Sequence, residues 1–172
     1  MTDYELEYQR SEAACGDPLP EFVELFEALP VASTVLDLGA GQGRDTLVAA
    51  RLGHKVVAVD ISPTGIGQIL VAARRENLSI EGVVTDLRQY CPNGKFDVVV
   101  LDRIVHMLKD IKDKVALLSK AAQATAEGGY ALIADTPGNQ EHIERQFGDR
   151  RAWVQIAAGK GRWIFKRETG AT

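Results

Sequence analysis

A chain of 172 residues that is 45% apolar and 26% charged, with a formal net charge of −4, has the composition of one soluble globular domain long enough for a sizeable core. The mildly negative charge argues against a nucleic-acid binder, which needs a basic footprint on phosphate, and no apolar run is long enough to cross a bilayer. The first ten residues are polar and acidic, unlike a secretory leader, so the chain is expected in the cytoplasm with Cys15 and Cys91 as reduced thiols lacking metal-ligand spacing.

Taken in order, Tyr4 to Asp17 has no clean period. Pro18 and Pro20 bracket the start of a helix whose Phe22, Leu25, Phe26 and Leu29 recur at i, i+3, i+4, i+7. Val35, Leu36 and Leu38 read as a strand buried on both faces, with Asp37 near its end, stopped by Gly39, Gly41 and Gly43. Arg44 to Leu52, closed by Gly53, reads as a helix. Lys55 to Asp60 is a second strand; Ser62-Pro63 then opens a helix with Ile66, Ile69, Leu70 and Ala73 on one face. Gly82 to Leu87 reads as a third strand ending in Asp86, and Phe96 to Leu101 as a fourth, delivered by Pro92-Asn93-Gly94. Ile111, Val115, Leu118 and Ala122 form a helical stripe ended by Gly128-Gly129, before a fifth strand, Tyr130 to Asp135. A short helix with Ile143 and Phe147 stops at Gly148, and two runs around Gly159-Lys160-Gly161 read as a hairpin. The sum is an α/β fold with a doubly wound, mostly parallel seven-stranded sheet and an antiparallel C-terminal hairpin.

The strand, glycine turn and helix N-terminus at 35–52 suit a nucleotide-like cofactor. A dinucleotide turn wants G-x-G-x-x-G/A, and the sixth position counted from Gly39 is Arg44, too large for close helix packing. Asp37 would repel a pyrophosphate but suits a ligand carrying an ammonium and a sulfonium. The G-x-G-x-G spacing with this acid resembles motif I of the class I S-adenosyl-L-methionine-dependent methyltransferases, which places Asp37, Gly39, Ala40, Gly41 and Gly43 at the cofactor. Asp60, about twenty residues on at a strand end, is where an acid can accept from both hydroxyls of a ribose. Ile61 is then expected on the adenine face. The resemblance further implies that Asp86 accepts from the adenine amino group with Leu87 nearby, and that Asp102 lines the cofactor. Asp37, Asp60 and Asp86 on successive strands put three carboxylates along one rim.

Gly41 to Leu47, Leu52-Gly53, Val57 to Ser62 and Gly128 to Ile133 look most like the small tellurite-resistance methyltransferases and their relatives, which methylate soft chalcogen oxyanions. The chain departs from that group after Asp135, where the substrate-side insertion is short, so its acceptor does not carry over. His106 resembles the first histidine of a Leu-His-His pattern in small-molecule methyltransferases and is the candidate base for a hydroxyl or amine acceptor; a histidine beside an apolar stripe also suits a structural role. Tyr8 and Cys15 are candidate lid contacts.

The expected organisation is a single methyltransferase domain over 1–172: an N-terminal lid and helix (1–30), a cofactor-binding core (31–135), and a short helix with the hairpin (136–172). Its acceptor is a small molecule, with no metal, and the chain suits a monomer or a homodimer equally. A DNA amino-methylating enzyme would carry Asp/Asn-Pro-Pro-aromatic where Leu101-Asp102-Arg103-Ile104 stands. Residues 139–168 carry a net +3 against −7 in the remainder, which suits an anionic substrate or acidic partner as well as plain solvated surface. A cofactor-binding subunit without its own activity is an alternative, as is a nicotinamide enzyme, which Arg44 and Asp37 oppose.

Overall fold

The computed structural model describes residues 4–10 and 16–170; the expectation for Cys15 lies outside them. The strand order is β3-β2-β1-β4-β5-β7-β6, with β5, β6 and β7 antiparallel at one end, so the seven-stranded, mostly parallel α/β sheet is as expected. The chain forms two compact units, Met1–Leu87 and Arg88–Thr172.

In the first unit, β1 (Thr34–Leu38) pairs in parallel with β2 (Lys55–Asp60), which pairs in parallel with β3 (Ile80–Val84). The apolar runs explain this: Val35, Leu36, Leu38, Val56, Ala58 and Val59 are all buried, as strands covered on both faces require. Helices α1 (Tyr4–Arg10) and α2 (Pro20–Ala28) precede β1, and α3 (Arg44–Arg51) and α4 (Pro63–Glu76) connect the three strands. Helix α4 begins where Ser62 accepts a hydrogen bond from Gly65 N at 2.9 Å, with Pro63 in its first turn, and ends at Asn77 in a left-handed conformation, φ 54°. Its Ile66 and Ile69 join Ala40 and Ala58 in one apolar cluster, with Leu70 and Ile80 packed against it. In α2, Phe22 and Phe26 are the buried members of the expected stripe, and the ring Nε2 of buried His54 donates to the Phe26 carbonyl at 2.8 Å.

In the second unit, β4 (Phe96–Asp102) pairs in parallel with β5 (Thr125–Ala134), and β7 (Arg162–Arg167) lies antiparallel between β5 and β6 (Trp153–Gly159). Helices α5 (Ile111–Ala124) and α6 (Gln140–Phe147) complete it. The hairpin loop is two residues, Lys160 and Gly161, both at positive φ, which matches the twist of the flanking strands. Phe147 of α6 stacks on Phe165 (centroids 5.1 Å) and meets Trp153 edge-on (4.8 Å), so the short helix is riveted to the hairpin by three aromatic rings.

The structure adds one element to those read from the sequence and corrects three expectations. Tyr4–Arg10, which lacks a clean period, is helical because tertiary contacts decide it: Glu5 accepts from the Ser62 and Thr64 hydroxyls, and buried Tyr8 gives its carbonyl to Gln68 Nε2 at 2.9 Å. The third strand ends at Val84, so Asp86 stands two residues past it and not at the strand end. Gly128-Gly129 do not stop a helix. Helix α5 already ends at Ala124, and the glycines lie inside β5, where Phe96 faces Thr125 but Val98 faces Tyr130, leaving three extra residues in a bulge. The buried face of α5 is correspondingly Leu117, Leu118, Ala121, Ala122 and Ala124, while Ile111 and Val115 are exposed.

Close approach makes one glycine of α4 testable. A Cβ on Gly65 would lie 2.3 Å from the Gly41 carbonyl oxygen, a backbone atom with no room to yield. Gly65→Ala, normally favourable in a helix, is expected to lower stability by about 1–3 kcal/mol in urea unfolding. Unchanged or raised stability would contradict this packing.

Candidate active site

The turn after β1 is built from three left-handed glycines: Gly39, Gly41 and Gly43 have φ of 89°, 53° and 87°. Other residues adopt that conformation at a cost, which is the physical reason for glycine at every second position. Two donors of the turn, Gly39 N and Ala40 N, converge on the Val59 carbonyl at 2.8 and 3.1 Å, and Gly43 N reaches Ala40 O at 2.8 Å before α3 begins. The Asp60 carboxylate closes the arrangement. Its Oδ2 accepts from Gly41 N and its Oδ1 from Ser62 N, both at 2.8 Å, so one buried side chain holds the glycine turn and the entry to α4 together.

Asp37 points into the same region. It is buried and accepts from Thr46 Oγ1 at 2.6 Å. Burial, followed by the nearby Asp45 charge, pushes its carboxyl up to about 7, with a smaller contribution from Asp60; the Thr46 hydrogen bond and Arg44 act in the opposite direction. Asp45 is likewise raised, chiefly by burial, against the pull of Arg44 at 3.4 Å, and its Oδ1 is buried with no hydrogen-bond partner among the described residues. The first unit therefore concentrates negative charge in a poorly solvated place. Such an arrangement costs stability unless a cation is received there.

Of the other expected residues, Ile61 is 67% exposed beside Asp60, a large apolar side chain presented to a ligand or to water. Thr85 N bonds the Asp60 carbonyl at 2.9 Å, which brings the Asp86-Leu87 segment to the same rim; Asp86 is half-buried and Leu87 buried. Tyr8 packs near Gly65 in the first turn of α4, 3.3 Å from where a Cβ would stand, so the N-terminal helix covers the residues that follow Asp60. Glu5, Gln68, Gln42, Asp45 and Thr46 also belong to this constellation. Sequence reasoning missed them because each acts through a tertiary contact, such as Gln42 Nε2 to Gln68 Oε1 at 2.8 Å.

In the second unit, Asp102 closes β4 with its side chain almost fully buried and Oδ1 3.7 Å from Arg103 Nε. Arg103 takes the unusual φ of 54° and donates its N–H to Ala134 O, turning the chain off the sheet into the 3₁₀ turn Val105–Met107. His106 sits on this turn with its ring 31% exposed, and its Nδ1 lies 3.2 Å from Asp135 Oδ2. Asp135 was read only as the end of a strand; its position, the acid after an apolar run, was the same signal that singled out Asp60.

A family model described as a methyltransferase domain matches residues 6–169. The cypemycin N-terminal methyltransferase of a Streptomyces species is 32% identical over 137 residues, 79% of this chain and 54% of that protein. Among solved structures, TehB from Haemophilus influenzae superposes with a TM-score of 0.75 at 18% identity, covering 96% of this chain and 67% of that one. The N-methyltransferase NodS from Bradyrhizobium japonicum, solved in complex with S-adenosyl-L-homocysteine, gives 0.72 at 17% identity over 98% and 100%. The chain spans between 34% and 54% of the length of the first curated relatives it matches. With one family model running through nearly every described element, on a sheet of this strand order, the chain belongs to the methyltransferase domain family.

Proposed function

We propose that this protein transfers the methyl group of S-adenosyl-L-methionine to a small-molecule acceptor. The observation that carries the reading is the buried acid cluster around a left-handed glycine turn: Asp37 and Asp45 are both raised toward protonation, and a buried Asp45 oxygen lacks a partner among the described residues, so the place suits a ligand bringing positive charge. The residues fit the cofactor. Asp37 and the turn Gly39, Ala40, Gly41 and Gly43 would hold the amino-acid end, Asp60 the ribose hydroxyls through the lone pairs its two backbone contacts leave over, Ile61 the adenine face, and Asp86 the adenine amino group with Leu87 nearby. When bound, the cofactor supplies an electrophilic methyl on sulfur. The chain's part is alignment for an in-line displacement, an effect that can contribute about 7–11 kcal/mol, and removal of the acceptor's proton by His106 where the acceptor carries one.

A small acceptor is favoured by how little chain separates β5 from the hairpin: a single 3₁₀ turn, Pro137–Asn139, and the eight-residue α6. Among the described residues no helix is long and apolar enough to cross a membrane. The single-domain organisation over 1–172, with 31–135 as its cofactor-binding core, and the cytoplasmic setting are parts of the same proposal.

Isothermal calorimetry should show binding of S-adenosyl-L-homocysteine in the micromolar range and none of NAD; the reverse would overturn the assignment. Asp60→Ala removes an acceptor from two buried N–H groups, each loss costing about 1–3 kcal/mol of stability, and on the fraction that stays folded the cofactor should bind on the order of ten- to a hundredfold more weakly. An unchanged dissociation constant removes Asp60 from the site.

The raised Asp37 supplies a third expectation. A bound ammonium favours the ionised carboxylate, so affinity should increase as pH rises through about 7, with proton release below it. Asp45, Asp60 and Arg44 are the charged groups that bear on Asp37, and none is altered in Asp37→Asn, which should flatten the profile between pH 6 and 8. A slope that persists in the variant would place the titrating group elsewhere.

A further inference from the structure

Asp135 is engaged on both oxygens. Oδ1 accepts from Thr136 N at 2.8 Å, Asn139 Nδ2 at 2.6 Å and Thr136 Oγ1 at 3.3 Å; Oδ2 accepts from His106 N at 3.2 Å and faces the His106 Nδ1 at 3.2 Å. A backbone N–H on each oxygen makes this carboxyl an acceptor, so the ring nitrogen must be the donor and Nδ1 carries the proton. The neutral imidazole then has its lone pair on Nε2, for which no protein partner is found among the described residues.

The amide of Asn139 is oriented from behind. Its Oδ1 accepts from Lys114 Nζ at 2.8 Å, and the flipped amide would set an NH₂ against an ammonium, so its donor end must face Asp135. Lys114 comes from α5, Asn139 from the turn before α6, Asp135 from the end of β5, and His106 from the turn after β4. Asp135 is itself held by the hairpin, since its N–H bonds Gly161 O at 2.8 Å, and a Cβ on Gly161 would stand 2.3 Å from the Asp135 carbonyl oxygen. A side chain with a purely packing role would not need four elements to fix one tautomer of a ring that is one-third exposed.

We infer that Lys114, Asn139 and Asp135 are positioning residues that hold His106 with Nε2 as a proton acceptor, and that the acceptors of this enzyme are hydroxyl or amine compounds whose nucleophilic atom carries a proton. The inference rests on the methyltransferase reading above. In the step it implies, the acceptor oxygen or nitrogen bonds to the methyl carbon, and the carbon–sulfur bond breaks with its electron pair passing to sulfur. The acceptor's proton goes to Nε2 and from there to water. Soft chalcogen oxyanions and thiolates need no such base, so the arrangement sets this chain apart from the substrate class of the tellurite-resistance group.

Nitrogen-15 NMR reads the ring directly, because the chain has three histidines and His106→Gln identifies the signal. The wild-type ring should be the Nδ1–H tautomer, and Asp135→Asn, whose amide can present an NH₂ to Nδ1, should admit a measurable share of the other. A wild-type Nε2–H tautomer, or no change in the variant, overturns the positioning role. Labelled cofactor with matched series of phenols, alkyl amines and thiols tests the acceptor class. Methylation of a phenol or amine with kcat lowered about 10²–10⁴-fold in Asp135→Asn, at little-changed KM and with thiol turnover retained, supports it. Methylation of thiols alone, or of no series, overturns it. Calorimetry with S-adenosyl-L-homocysteine on the same preparations separates the two levels: absent binding defeats the methyltransferase reading itself, whereas intact binding with the wrong tautomer or acceptor defeats only this inference.

Discussion

The two hydrogen bonds from Gly41 N and Ser62 N to the Asp60 carboxylate are the contact on which the rest of the first unit depends. A turn of three left-handed glycines has few side chains of its own with which to hold a shape, and its backbone donors are buried. A charged acceptor at the end of the neighbouring strand supplies what the turn lacks, and the parallel register of β1 with β2 brings it within reach. Once Asp60 is placed, Ser62 is placed with it. Ser62 caps α4, Gly65 can then pass under the Gly41 carbonyl, and Glu5 of α1 docks on the Ser62 and Thr64 hydroxyls.

The same device recurs in the second unit. Asp135 follows an apolar strand and accepts backbone N–H groups from two separate turns, at His106 and at Thr136. In both units a strand-end carboxylate substitutes for missing secondary structure: it organises loop backbone that no ladder can reach. This is economical for a methyltransferase fold, because loops at the strand ends are where side chains can meet a ligand while the sheet behind them stays rigid.

Charge burial is the cost of the arrangement. Burial raises both carboxyls, and the Asp45 charge further disfavours ionisation of Asp37. The hydroxyl of Thr46 and the guanidinium of Arg44 offset only part of this. A fold optimised for stability alone would fill such a place with apolar side chains. Under the proposed function the acids make physical sense as a receptor that a cationic ligand would complete.

Much of this was legible from residue pattern. Apolar runs broken by glycine and closed by aspartate located β1 and β2, and the hairpin between β6 and β7 followed from the turn residues around Lys160, because these features depend on neighbours in the chain. Helix α1, the bulge at Gly128-Gly129 and the true buried face of α5 were not legible, since each is decided by partners distant in sequence: Glu5 by Ser62 and Thr64, Gly129 by the Asp97 carbonyl 2.8 Å from where its Cβ would stand. Site chemistry divides in the same way. The sequence by itself determined that Asp60 ends its strand and that Asp37 precedes the glycine turn, and hence the cofactor class its motif resembles, while Asp86 proved to lie two residues beyond β3. Only the tertiary structure decided that Asp60 spends two lone pairs on backbone N–H groups and that His106 is oriented by Asp135, because hydrogen-bond partners are chosen by proximity in space, which residue spacing does not encode.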